Sequence, residues 1–446
     1  MSGSDGRSIR DPKDDILELT DIHEDTAVFG ELVEDLMRRT SHQHQQGTAP
    51  STTSTTNHSM IRHLKIDGYG GLREPPWRES RNIDLFFHAL TLHPLASIRL
   101  ENLGMYPYDE RSGTFPIRLL TKLLQPNGTA PSCLCELELR DVILEGSAEE
   151  WRQFSWTLAS LNSLQIFLLE TCDCAINFPA EQFTNFNQVL RNLWAGPLQS
   201  KTLQHLTLHP AQNYGGDLDS ATISTILRQS PSLQKLSISN IGRLNNDIMT
   251  SLFISLATHS QDGEDETTAP APSPLSLRFL QLKNCEMNQA ALTAMSQFLE
   301  CQQPSLKSIQ LGLSSTPKQR DIPYIYRESS MVGLFETLKH NRTLEKFVLS
   351  SDGMPPKMGT KASKAYLDMM RHNCSLLDMF VTYPNLHFHP NLMGFYAKLN
   401  RVGRRRFLLD GHLRTRDEWV DMLACVADDE SCLFYFLRLH PLLCKI

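Results

Sequence analysis

A hexapeptide of the form Leu-x-x-Leu-x-Leu, with Ile, Phe, Met or Val as occasional substitutes, recurs ten times along this chain and constrains its fold more than any other feature. The copies begin at Ile61, Leu95, Leu134, Leu164, Leu203, Leu233, Leu277, Leu306, Leu344 and Leu376. Successive first positions lie 34, 39, 30, 39, 30, 44, 29, 38 and 32 residues apart, so short units alternate loosely with longer ones. Self-similarity at such a period indicates stacked repeats, in which no unit buries its apolar face alone and neighbours must share it. Each hexapeptide is too short for a helix, and apolar residues at i, i+3 and i+5 suit a short strand buried by its neighbours.

The segments between these strands read as helices. Leu292, Met295, Phe298 and Leu299 fall at helical spacing, as do Ile223, Ile226 and Leu227, and Val332, Phe335 and Leu338 with the stem of Lys339. Pro-Ser-Leu at 231–233 and 304–306, and Asn-Arg-Thr-Leu at 341–344, end a helix and open the next strand. One strand plus one helix per unit predicts an α/β solenoid. It is a curved horseshoe with parallel strands on the concave face and helices on the convex face, because a helix is wider than a strand.

The run Leu277-x-x-Leu280-x-Leu282-Lys283-Asn284-Cys285, with its alternation of 29-residue and longer units, resembles the ribonuclease-inhibitor-like class of leucine-rich repeat proteins. The resemblance covers residues 60–395 and implies the horseshoe fold, but not the binding of a ribonuclease in particular. The ninth position, filled in that class by Asn or Cys, matches only at Cys172 and Cys285. Elsewhere it holds Tyr69, Leu103, Val142, Ala211, Ile241, Ser314, Asp352 and Pro384, so the repeats are degenerate.

Composition bounds the rest. Hydrophobic content of 40% and charged content of 21% fit a globular chain, and no stretch approaches the roughly 18–20 apolar residues of a membrane span. Residues 1–40 hold eleven acids and five bases out of an overall net charge of −7, which leaves the body near neutral. A near-neutral body argues against a nucleic-acid binder, which needs a basic face. The opening Met-Ser-Gly-Ser-Asp-Gly-Arg lacks a hydrophobic leader, so the expected compartment is the cytoplasm, with the nucleus also open to it. The ten cysteines then read as reduced thiols, and the sequons at Asn57, Asn127, Asn341 and Asn373 need no glycan.

Three regions follow. Residues 1–59 are acidic and then low-complexity; they read as a largely disordered appendage apart from a helical stripe of Val28, Phe29, Leu32, Val33, Leu36 and Met37. That stripe is either a short helix that folds back or one that docks in a partner's groove. Residues 60–395 form about ten repeats, with an acidic, proline-rich loop at Gln261–Pro274. Residues 396–446 lack the hexapeptide and read as a helical cap, with Trp419, Met422, Leu423 and Val426 on one face and Leu433, Phe434, Phe436, Leu437 and Leu439 on another.

Catalytic signatures are missing from the sequence: no Gly-x-Ser-x-Gly, no Gly-x-x-x-x-Gly-Lys, no His-Glu-x-x-His. Cys133-Leu134-Cys135, Cys172-Asp173-Cys174 and His387-Phe388-His389 lack a second ligand pair at metal-site spacing, so ordinary structural residues are expected there and no metal or cofactor is implied. Arg404–Arg406 reads as a solvated helix end, against binding of phosphate, an acidic partner or an import receptor.

Strand alternation turns the third, fifth and seventh positions of each hexapeptide away from the core. The candidate partner-binding residues on that face are Arg99, Glu101, Glu138, Arg140, Leu168, Glu170, His209, Lys235, Phe279, Lys283 and Lys346. Acids gather in the first four units and lysines in later ones, while Ile166, Leu168 and Phe279 are apolar residues expected to face solvent. The expected function is a non-catalytic, intracellular scaffold holding a protein partner on the concave face. The alternative is a substrate-recognition subunit of a ubiquitin ligase, recruited through residues 16–39. Oligomeric state is not legible.

Overall fold

The computed structural model describes residues 16–20, 31–38, 61–67, 81–103, 115–125, 133–175, 202–210, 230–239, 244–258, 276–313, 328–351, 359–381, 390–402, 404 and 416–439. They fall in two compact units, one ending at Ser239 and the other beginning at Leu244.

The first unit contains β1 (Ile16–Thr20), α1 (31–38), β2 (His63–Asp67), α2 (Arg81–Leu90), β3 (Ser97–Glu101), β4 (Phe115–Pro116) and α3 (Ile117–Leu124). It continues with β5 (Glu136–Arg140), β6 (Ile143–Glu145), α4 (Ala148–Ser160), β7 (Ile166–Ala175), β8 (His205–Pro210) and β9 (Lys235–Ile238). Strands β1, β2, β3, β5, β7, β8 and β9 pair in that order, all parallel. The register puts Leu17, Leu64, Ile98, Leu137, Phe167, Leu206 and Leu236 in one row, and Leu19, Ile66, Leu100, Leu139, Leu169, Leu208 and Ile238 in a second. From β2 onward both rows are buried, and each such side chain contributes about 2 kcal/mol.

The second unit contains α5 (Asn246–Thr258), β10 (Phe279–Cys285), α6 (Gln289–Glu300), β11 (Ser308–Leu313), α7 (Glu328–His340), β12 (Lys346–Ser351), α8 (Thr360–His372) and β13 (Asp378–Val381). Its four strands are parallel, with Leu280, Ile309, Phe347 and Met379 in one buried row and Leu282, Leu311, Leu349 and Val381 in the other. Helices pack on their neighbours through aromatic contacts: Phe253 of α5 meets Phe298 of α6 at 5.9 Å, and Phe335 of α7 meets Tyr366 of α8 at 5.3 Å. The chain is therefore α/β, with long runs of parallel strands alternating with eleven described helices.

Local chemistry explains the turns. Asn102 and Asp141 follow their strands, and Asn284 stands at the irregularity between Leu282 and Cys285 of β10, all at positive φ (55°, 52° and 59°), the left-handed region that Asn and Asp tolerate best after Gly. Each stands at the eighth hexapeptide position, so the strand-end signal lies one residue before the Asn/Cys position of the resembled class. Helix α4 opens on a capping box in which Ser147 and Glu150 bond one another's backbone amides. Glu328, the first residue of α7, accepts from the amides of Lys361 (2.7 Å) and Ala362 (3.2 Å) and so caps α8, whose own N-cap, Gly359, has no side chain.

Asparagines latch successive units at the helix-to-strand corner. The Asn341 side chain donates to the Leu299 carbonyl at 2.9 Å and accepts from the amides of Thr343 and Leu344. Asn373 repeats the arrangement on Ser375 and Leu376, donating to the carbonyls of Leu338 (2.6 Å) and Asn341 (3.0 Å). Asn400 donates to those of Leu376 (2.6 Å) and Asn373 (3.3 Å). Two of the four sequon asparagines are thus buried structural residues.

Helices α9 (Pro390–Arg401), α10 (Arg416–Cys425) and α11 (Glu430–Leu439) close around Leu399, Trp419, Met422, Val426, Cys432 and Phe436. The first apolar face expected of the C-terminal region meets in this cluster, with Leu423 at its edge, but of the second only Phe436 is buried there and Leu433 packs beside it, while Phe434 is exposed.

Several expectations need correcting. A strand that was not expected lies before residue 60: β1 pairs in full register with β2. A second, smaller parallel sheet, β4–β6–β7, runs beside the main one and takes in the backbone of Asp173–Ala175. Arg404 is no solvated helix end. It is fully buried, donates to the carbonyls of Met370 (3.1 Å) and Asn373, and lies over the Tyr396 ring at 4.9 Å. The stripe at Ile223–Leu227, the insert Gln261–Pro274, His387–His389, Arg405, Arg406 and the sequons Asn57 and Asn127 lie outside the described residues.

Candidate interaction surface

In the first unit the register gathers outward side chains into three rows. The third-position row is Ile16, His63, Ser97, Glu136, Ile166, His205 and Lys235. The fifth-position row is Glu18, Lys65, Arg99, Glu138, Leu168, Thr207 and Ser237, and the seventh-position row is Asp67, Glu101, Arg140, Glu170 and His209. Adjacent strands stand only about 4.8 Å apart, so neighbours within a row interact directly.

Five of the eleven candidates, Arg99, Glu101, Glu138, Arg140 and Glu170, form one ionic network. Arg99 contacts Glu101 at 2.6 Å and Glu138 at 3.5 Å; Arg140 contacts Glu138 at 3.3 Å, Glu170 at 3.6 Å and Glu101 at 3.9 Å. Lys65 extends it to Glu18 (2.8 Å), Glu101 (3.9 Å) and Asp67 (4.0 Å). Glu18 was missed because β1 lacks the hexapeptide: its first template position is Asp14. Burial, and then the hydrogen bond and charge of Glu138, raise the Glu136 carboxyl above its ordinary range, against the pull of Arg99 and Arg140.

Crowding within rows changes exposure. Leu168, expected to face solvent, is only 8% exposed between Glu138 and Thr207, so it braces the face rather than projecting from it. Glu138 is equally buried. His209 shares a 2.7 Å hydrogen bond with Ser237. Lys235 is half-buried beside His205, whose imidazole is held below its ordinary value by burial and then by that lysine's charge.

In the second unit, Phe279, Ser308, Lys346 and Asp378 share one row, and Gln281, Gln310, Val348 and Phe380 the next. Lys346 pairs with Asp378 at 2.7 Å, Lys283 is exposed over Gly312, and Phe279 is half-buried. The exposed aromatic is Phe380, at 52%. It stands at the fifth position of the hexapeptide that begins at Leu376, an outward position outside the candidate set.

The Cys133 and Cys135 thiols donate to the carbonyls of Leu95 (3.5 Å) and Cys133 (3.3 Å), a structural use of both. Among the described residues no group of His, Cys, Asp and Glu is placed to hold a metal, and no helix is long and apolar enough to cross a membrane.

The sequence matches no protein-family model and no curated protein. Among solved structures the chain is similar to one titled "Leiomodin-1 Actin-Binding Site 2 (ABS2)", at 12% identity and a TM-score of 0.29, over 43% of this chain and 95% of that one.

Proposed function

We propose that this chain is a non-catalytic leucine-rich repeat scaffold of the ribonuclease-inhibitor-like class, working in the cytoplasm or nucleus and holding a protein partner on the outward face of its strands. The supporting observation is the register. In each unit it lines up third- and fifth-position side chains from strand after strand into rows, partly exposed and chemically varied, on the side opposite the buried aliphatic rows. Such a face offers a broad array of fixed contacts, the geometry with which repeat proteins bind extended partners.

The ligase alternative needs the helix at 31–38 free to engage an adaptor. Its Leu36 is buried, which favours the scaffold reading.

The test is quantitative affinity capture from the native cell with the intact chain, a Ser97→Arg, Phe380→Arg variant that obstructs both strand faces, and a Trp156→Ala variant on α4. Partners lost on the first variant and kept on the second support the reading. Partners kept on both would overturn it.

A further inference from the structure

The outward face of the second unit carries three kinds of unused contact, laid out in strand order. Lys283 on β10 is exposed, and among the described residues it joins no ion pair, whereas Lys307 meets Glu345, Lys339 meets Asp368 and Lys346 meets Asp378. Because the Lys346–Asp378 pair cancels, the one uncompensated charge in the described rows of this face is positive. Gly312, beside Lys283 on β11, has no side chain; a Cβ there would stand 3.3 Å from the lysine stem, so the stem is open on that side. Gln310, also on β11, is half-buried, and among the described residues its side-chain amide makes no hydrogen bond. Val348 on β12 and Phe380 on β13 follow it in the same row, and Phe380 is the exposed aromatic. Neither the solvated ring nor the unpaired ammonium contributes to the buried aliphatic rows, and a surface aromatic is the residue type enriched where proteins meet.

Resting on the scaffold reading above, we propose that this face binds an extended, acidic protein segment, with a carboxylate on Lys283, an aromatic residue four positions away on Phe380, and the intervening backbone on Gln310. Charge complementarity selects the carboxylate, since Lys283 attracts an acid and repels a basic segment. The aromatic residue is set by Phe380, because ring pairs add to the area they bury and Val348 supplies an apolar floor beside them. The spacing follows from the sheet. Lys283 and Phe380 stand three strand spacings apart, about 14 Å at about 4.8 Å each, and an extended chain covers that in about four residues. Side chains four apart on an extended chain also leave it on the same side, so both reach the face. A helix would need about nine residues for the same span. Its backbone groups would also be committed to its own ladder, out of reach of the Gln310 amide, which offers one peptide group both a donor and an acceptor.

The experiment titrates the full chain with a fluorescent peptide, Ser-Thr-Glu-Thr-Gln-Thr-Phe-Thr-Ser, and with two counterparts, one carrying Lys in place of Glu and one, Ser-Thr-Glu-Thr-Phe-Thr-Gln-Thr-Ser, with the ring closer to the acid. The first peptide should bind tightest. Phe380→Ala should weaken it by about tenfold or more, the loss typical of an anchor. Lys283→Glu should reverse the charge preference, so that the lysine peptide binds better than the first. Lys364→Glu, at an exposed site on α8, should leave binding within about twofold, the small effect expected of a solvated charge. All three variants change exposed side chains, so folding does not confound the comparison. Equal binding at the two ring spacings, no binding of the first peptide, or an unreversed preference in Lys283→Glu overturns the proposal. If the peptides fail in any of these ways while Ser97→Arg, Phe380→Arg still loses cellular partners, the acidic-segment assignment falls and the scaffold reading stands.

Discussion

The side-chain amide of Asn373 donates to the backbone carbonyl of Asn341, its counterpart one repeat earlier, across 3.0 Å. Each asparagine also receives two backbone amides of its own turn, so a single residue closes the corner and ties it to the previous unit. Asn373→Ala would strip partners from buried carbonyls and amides together. The expected loss is about 3 kcal/mol of unfolding free energy, read from urea denaturation. A loss below about 1 kcal/mol, the worth of one ordinary hydrogen bond, would show that the latch is incidental.

The shared cap between Glu328 and α8 makes a paired prediction. Glu328→Ala should cost about 1 kcal/mol, the usual worth of a helix cap. Gly359→Ala should also destabilise, because its new Cβ would collide with the Glu328 carboxylate. In the Glu328→Ala background that second change should become neutral, and a thermal-melt double-mutant cycle would detect the coupling.

Arg404 is a buried cation held by two carbonyls at the end of α8 and by the Tyr396 ring, although burial lowers its proton affinity. Arg404→Ala should lose about 3 kcal/mol and speed hydrogen exchange in α10 and α11. Arg404→Lys should not rescue it, since an ammonium lacks the planar fork that reaches two carbonyls while stacking on an aromatic ring. Unchanged exchange over 416–439 would mean that the cap stands without it.

For Glu136 the sign of the pH effect follows from its raised pKa. The folded state binds the proton more tightly than the unfolded chain, so its contribution falls as pH rises through the folded value. Glu136→Gln should therefore raise the melting temperature at neutral pH and leave it unchanged in acid, where the native carboxyl is already protonated. An equal shift at both pH values would refute this.

His205 runs the opposite way. Burial and then Lys235 hold its imidazole neutral to lower pH than usual. Its stabilising contribution is present above the ordinary histidine range and is lost as pH falls through the folded value. An NMR titration should place its midpoint below that of an unperturbed histidine; a midpoint at or above it would contradict the burial seen here.

The aliphatic rows were legible because their residues recur at i+3 and i+5 whatever the insert between copies: Leu137, Phe167 and Leu206 fall in one register as expected. Helix α6 was legible from Leu292, Met295 and Phe298 for the same reason. Strand β1 was not, since Leu17 and Leu19 keep the alternation but Asp14 breaks the template. Alternation also misjudged Leu168 and Glu138, because it says which way a side chain leaves the backbone and nothing about neighbours a strand away that cover it. Arg404 escaped for a similar reason: three arginines in a row look solvated until a helix end with open carbonyls comes within reach.

The corner asparagines carry one more implication. Asn341 and Asn373 each sit in an Asn-x-Ser/Thr triplet, and both amide nitrogens are spent on carbonyls inside the protein. A sugar attached to either nitrogen during synthesis would take the very atom that seals the repeat, so glycosylation and correct stacking exclude each other at these two positions. Routing this chain through a glycosylating organelle should therefore yield material that cannot close those corners.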